Sequence, residues 1–194
     1  MYTVIGSPKT RTMRVIWMLE ELGEPYEINP VPPRGDAARA FNPMAKVPSL
    51  QGPEGTISDS VAILTYLADK HGKLTYPAGT VERAQQDALT HTALDELDAV
   101  LWTAARHSFV LPEEQRVPQV KDSLKWEFAR NAERLAERIE GPFLMGDRMT
   151  IADIITAHCL NWAYGAKFPV EDERLLNYAK AMRGREAFKR AAGK

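Results

Sequence analysis

Residues 3–23 read TVIGSPKTRTMRVIWMLEELG, and this stretch decides the fold. TVI, with Tyr2 before it, is a short apolar run of the kind that forms a strand. Val15, Met18, Leu19 and Leu22 then fall at i, i+3, i+4 and i+7, which gives one apolar face of a helix that Gly23 can end. Between strand and helix lies a polar corner, SPKTRT. Its hydroxyls, its two cations and the free N–H groups of a helix start suit an anion. The corner holds neither Cys nor Tyr.

The same alternation continues outward. PYEINPV (25–31) is a second strand leading into the Pro-rich loop PVPPRGD, and DAARAFN (36–42) suits a short helix. VPSLQG (47–52) and GTISD (55–59) pair as a hairpin around Pro53-Glu54, and SVAILTYLADKHG (60–72) is a helix stopped by Gly72. The order is βαβ, a helix, then ββα, which forms one domain over residues 1–74. Residues 73–80, KLTYPAGT, form a linker broken by Pro77 and Gly79. Beyond it no segment reads as a strand. Helices are expected near 81–108, 113–140, 150–165, 171–182 and 184–192, with breaks at Pro112, Gly141-Pro142 and around Pro169. The expected class is therefore α+β with two domains, the second (81–194) all helical.

The 194 residues suit one large domain or two small ones, and 44% hydrophobic content is ample for a core. A net charge of −1 argues against a general nucleic-acid binder, which usually carries a basic excess. No apolar run approaches the roughly 18–20 residues of a membrane span, and MYTVIGS enters a strand without signal-peptide features. No membrane and a reducing cytoplasm are expected, because the single Cys159 cannot close an intrachain disulfide. His71, His91, His107 and His158 lack ligand-like spacing, so no metal is expected.

Two constellations carry alternatives that the residues alone leave open. Val47-Pro48 is either an ordinary trans proline at a strand start or a cis-proline that turns the Val47 backbone toward an extended peptide. Asp59-Ser60, where a strand hands over to a helix, is either a plain N-cap or a cap that also holds a carboxylate and an ammonium group. Thr150-Ile151-Ala152-Asp153 fits a capping box before an apolar helix and is assigned a structural role. Arg34-Gly35-Asp36 is a turn before a helix, and Cys159 is a packed core thiol. Trp17, Trp102, Trp126 and Trp162 fall in helical patterns and are expected in the core.

Taken together, SPKTRTMRVIWMLEELG, FNPMAKVPSL, ISDSVAILTYL, FLMGDRMTIADI and YAKAMRGREAFKRA resemble the glutathione S-transferase superfamily in order and spacing over nearly the whole chain. The resemblance implies a thioredoxin-like N-terminal domain on a helical domain, a homodimer, and glutathione as co-substrate. It implies that Pro48 is cis and that Val47 pairs with the cysteinyl unit of glutathione. Asp59 and Ser60 would hold its γ-glutamyl end, and Lys46 its glycyl carboxylate. The family activates the thiol at the start of the first helix, and bacterial and fungal members with Ser, Thr or Arg there are most similar. Thr10 is accordingly ranked first, Arg11 second and Ser7 third. A small hydrophobic electrophile would meet Trp102, Arg106, His107 and Phe109 at the first helix of the helical domain, in the cleft between domains. The rival reading is a non-catalytic transferase-like module for protein contact or ligand carriage. A disulfide reductase is disfavoured, since it would normally want a cysteine in the corner.

Overall fold

The computed structural model describes all 194 residues. β1 (Tyr2–Ile5) runs into α1 (Thr12–Leu22), which returns the chain to β2 (Tyr26–Asn29). β2 lies parallel to β1, with Tyr2 opposite Tyr26 and Ile5 opposite Asn29. Parallel neighbours require a crossover over one face of the sheet, and α1 is that crossover. After α2 (Asp36–Arg39), β3 (Ser49–Gly52) pairs antiparallel to β1. β4 (Gly55–Ser58) folds back on β3 around Pro53-Glu54, and α3 (Ser60–His71) follows. The sheet order is β2-β1-β3-β4. Val15, Ile16, Met18 and Leu19 of α1 and Ile63, Leu64 and Leu67 of α3 are fully buried, as are Val4, Ile5 and Leu50 of the strands. Gly23 closes α1 in the left-handed conformation and donates its N–H to Leu19. The class is the α+β architecture expected from the sequence, with a thioredoxin-like sheet unit and a helical unit.

The compact unit that carries the sheet comprises Met1–Ala78 together with Met182–Lys194. Its last helix, α9 (Glu186–Ala192), was expected with the helical domain but packs on α1. Trp17 and the acids of α1 explain why. Phe188 meets the buried Trp17 ring edge-on at 4.9 Å between centroids. Arg185 grips both carboxylate oxygens of Glu21 at 2.7 and 2.8 Å, and Arg190 reaches Glu20 at 2.6 Å.

The helical unit is Gly79–Ala181. α4 (Val81–Thr92) continues through a π-helical turn, Ala93–Asp98, into α5 (Ala99–Ala105) and a second π turn, Arg106–Val110. The helix expected from residue 113 starts only at Val120, as α6 (Val120–Glu137). Pro112 and Pro118 break the run, leaving a single 3₁₀ turn at Glu113–Gln115. α7 (Ile151–Gly165) and α8 (Glu173–Gly184) complete the order. The capping box at Thr150 is present, and Asp153 does more than cap. Fully buried, it accepts from the N–H groups of Leu144 and Thr150 at 2.9 and 2.8 Å and from the Tyr178 hydroxyl at 2.9 Å. Burial pushes its carboxyl up against these donors. Cys159 is buried, as expected of a core thiol. Trp126 corrects an expectation: it is 62% exposed on α6, with the Arg130 guanidinium 4.8 Å above its ring. No helix is long and apolar enough to cross a membrane.

The clasp between α9 and α1 should weaken in acid. Burial works to raise the Glu20 carboxyl, but Arg190 and the Tyr26 hydroxyl outweigh it and hold the group below its ordinary value. A carboxyl depressed in the folded state contributes stability that is complete above its unfolded value of about 4.3 and is lost as pH falls through the lower folded value. Urea midpoints measured from pH 6 to pH 3 should therefore hold steady above pH 5 and fall below pH 4. In Glu20→Gln the acid fall should be shallower.

Candidate functional site

The corner after β1 is a run of tight turns. The N–H of Thr10 donates to the Ser7 carbonyl at 3.0 Å, that of Met13 to Thr10 and that of Arg14 to Arg11. The Thr10 hydroxyl donates to the Ser7 carbonyl at 2.8 Å and accepts from the Thr12 N–H at 3.2 Å. A hydroxyl has one proton, so the 2.8 Å contact between Thr10 and Thr12 takes its proton from Thr12. Thr10 is thus committed on all sides to shaping the entry into α1. The Ser7 hydroxyl accepts from the Lys9 N–H at 3.3 Å, which leaves its own proton for another acceptor. Arg11, half-buried, is the N-cap residue of α1 and makes no side-chain cap bond.

Val47-Pro48 is cis, as the resemblance implies. Val47 stands just before the ladder, whose first β3 residue is Ser49, opposite Ile5 and Ser58. The loop that delivers it is built by Asn42, a residue the sequence reading passed over. The buried Asn42 amide donates to the Lys46 carbonyl at 3.1 Å and accepts from the Met44 N–H at 3.0 Å. Lys46 is exposed. Ala45 packs with Ile5, Val31 and Ala38, with Phe41 and Val47 against them, which seats the loop.

Gly6 brings the corner and Val47 together. Its φ is +128°, and a Cβ there would lie 2.3 Å from Thr12 Oγ1 and 2.9 Å from Val47 Cβ. Only glycine permits this approach, since both the conformation and the space exclude a side chain. The signal lay in the sequence, as the glycine ending a strand before a helix.

Asp59 and Ser60 divide the work that the sequence left joint. Asp59 is the cap: its exposed carboxylate accepts from the N–H groups of Val61 and Ala62 at 2.9 and 3.1 Å, at a φ of +77°. Ser60 is buried, and its hydroxyl accepts from Nη1 of Arg14 at 3.3 Å. Arg14 is wholly buried on the first turn of α1. Nothing in the helical pattern of the sequence marked it for burial. Gly6 thus lies close to both Thr12, on the first turn of α1, and Val47, while Arg14 on the same turn reaches Ser60.

In the helical unit, Trp102 and Arg106 lie one turn apart where α5 passes into the second π turn. Arg106 donates to the Thr103 hydroxyl at 2.9 Å. His107 accepts the Val117 N–H on Nδ1 at 3.1 Å, so the neutral ring carries its proton on Nε2. Phe109 is 69% exposed.

Two family models match the chain, "Glutathione S-transferase, N-terminal domain" over residues 1–75 and "Glutathione S-transferase, C-terminal domain" over residues 97–179. The chain is 31% identical over 140 residues to glutathione S-transferase GstA of Escherichia coli O157:H7, an alignment spanning 71% of this chain and 67% of GstA. The chain belongs to the glutathione S-transferase family. It is also 33% identical to elongation factor 1-gamma of Trypanosoma cruzi over 65% of its length, but spans only 30% of that protein. Among solved structures, a glutathione transferase from Burkholderia graminis with two glutathione molecules bound per subunit superposes with a TM-score of 0.78. It is 25% identical and aligns over 98% of this chain and 86% of its own.

Two expectations follow for this transferase-family site. Gly6→Ala should cost about 2–5 kcal/mol in urea unfolding, because it combines backbone strain with overpacking against Thr12 and Val47. Asp59→Ala should cost about 1–2 kcal/mol through loss of the α3 cap, while Asp59→Asn should retain most of it.

Proposed function

We propose that the chain binds glutathione in its sheet unit and activates the thiol for attack on small electrophiles. One observation carries this reading: Gly6 leaves no room for a side chain beside Thr12 and Val47, and Arg14 on the same helix turn as Thr12 bonds Ser60, so the points that would receive the cysteinyl and γ-glutamyl units both adjoin the start of α1. Val47, off the ladder beside cis Pro48, offers its backbone to the peptide. Lys46, exposed beside it, meets the glycyl carboxylate, and Asp59 meets the γ-glutamyl ammonium group. The Burkholderia graminis protein's bound glutathione supports the same ligand here.

Activation requires preferential stabilisation of the thiolate. A free thiol of pKa about 8.5 is only a few per cent ionised at pH 7. Lowering it by about two units takes about 2.7 kcal/mol. With the Thr10 proton on the Ser7 carbonyl, we assign this to the Arg11 guanidinium, the Ser7 hydroxyl and the N–H groups of the helix start. The electrophile is assigned to the Trp102, Arg106, His107 and Phe109 surface.

The likeness to elongation factor 1-gamma favours a second reading, a transferase-like module without chemistry. Thiolate absorbance in the ultraviolet against pH separates the two. An enzyme should titrate bound glutathione at least one unit below 8.5, with Arg11→Ala raising the value and Thr10→Val leaving it in place while lowering stability. A complex still titrating near 8.5 would sink the enzyme reading in favour of the module.

A further inference from the structure

We propose that Arg14 is a positioning residue for glutathione: its buried guanidinium turns the Ser60 hydroxyl into a donor aimed at the γ-glutamyl α-carboxylate. This rests on the glutathione-binding reading above and adds a residue to it.

Arginine stays charged when buried and can only donate hydrogen bonds. Because Arg14 Nη1 donates to Ser60 Oγ at 3.3 Å, that oxygen serves Arg14 as an acceptor, and its single proton is left to point elsewhere. An acceptor is what completes the arrangement, and a carboxylate is the strongest available. A bare helix start would offer an anion its free N–H groups, but here Asp59 already takes those of Val61 and Ala62. A carboxylate arriving at α3 is therefore left the Ser60 N–H and the Ser60 hydroxyl. It also approaches the Asp59 carboxylate, a like charge at the same helix start. The Arg14 cation directly behind Ser60 offsets that repulsion, in surroundings where both Arg14 and Ser60 are shielded from water. Arg14 thus acts through Ser60 rather than by touching the ligand.

The test compares two ligands by calorimetry: glutathione, and an analogue whose γ-glutamyl unit is replaced by γ-aminobutyryl, which lacks only the α-carboxylate. Arg14→Met should weaken glutathione about tenfold or more while changing the analogue by less than about twofold. Arg14→Lys, which keeps a charge and a donor, should recover part of the loss. Ser60→Ala should lose a similar increment, and adding Arg14→Met to it should cost little more. Should Arg14→Met fail to fold, Arg14→Lys and Ser60→Ala carry the same comparison. Equal loss for both ligands would overturn the proposal and leave Arg14 as a purely structural cation. Failure of the wild-type protein to bind glutathione at all would instead remove the glutathione-binding reading on which it stands.

Discussion

A methyl group at residue 6 would collide with the Thr12 hydroxyl and with Val47, and the first unit is organised around that lack of space. The contact lets the end of β1 pass tightly beneath the start of α1 while the loop before β3 closes on the same spot. The corner supports the approach with local bonds, as Thr10 ties Ser7 to Thr12. Asn42 supports it from the other side by fixing the turn that ends at Lys46. Under the glutathione-binding reading proposed above, a corner built this way is held before any ligand arrives, which is what low-cost binding requires.

The polar groups near the helix starts differ in how much of their hydrogen-bonding capacity the fold consumes. Asp59 is occupied by backbone N–H groups and Thr10 by its neighbours, so both serve the fold first. Ser7 and Ser60 each accept one bond and keep a proton, and they are the hydroxyls that remain for a partner. In the helical unit Asp153 shows the same bookkeeping completed internally: Leu144, Thr150 and Tyr178 satisfy its carboxylate, and no capacity is left for chemistry. Burial alone therefore does not mark a functional acid; the direction of its hydrogen bonds does.

Much of this was legible in the chain. The strand and helix order of the first 72 residues followed from periodicity and turn residues, and the Thr150 capping box from its four-residue spacing. The late start of α6 was missed because Pro118 lies inside a polar run without strong periodicity. The exposure of Trp126 was missed because a helical pattern gives spacing but not which face is covered. Thr10 stood first among the corner hydroxyls by position, and position says nothing of where a proton is already engaged.

The sequence by itself determined the class, the elements of the sheet unit and, through its resemblance, the family, because these rest on local spacing and on motifs in a fixed order; the Val47-Pro48 bond it left open on the residues alone. Only the tertiary structure decided that α9 docks on α1, that Gly6 joins the corner to Val47, and that Arg14 lies buried against Ser60. Each of those pairs residues far apart in the chain, and the sign of each depends on space and hydrogen-bond direction. Neither quantity is carried by residue type or spacing, so both become defined only when the chain has closed.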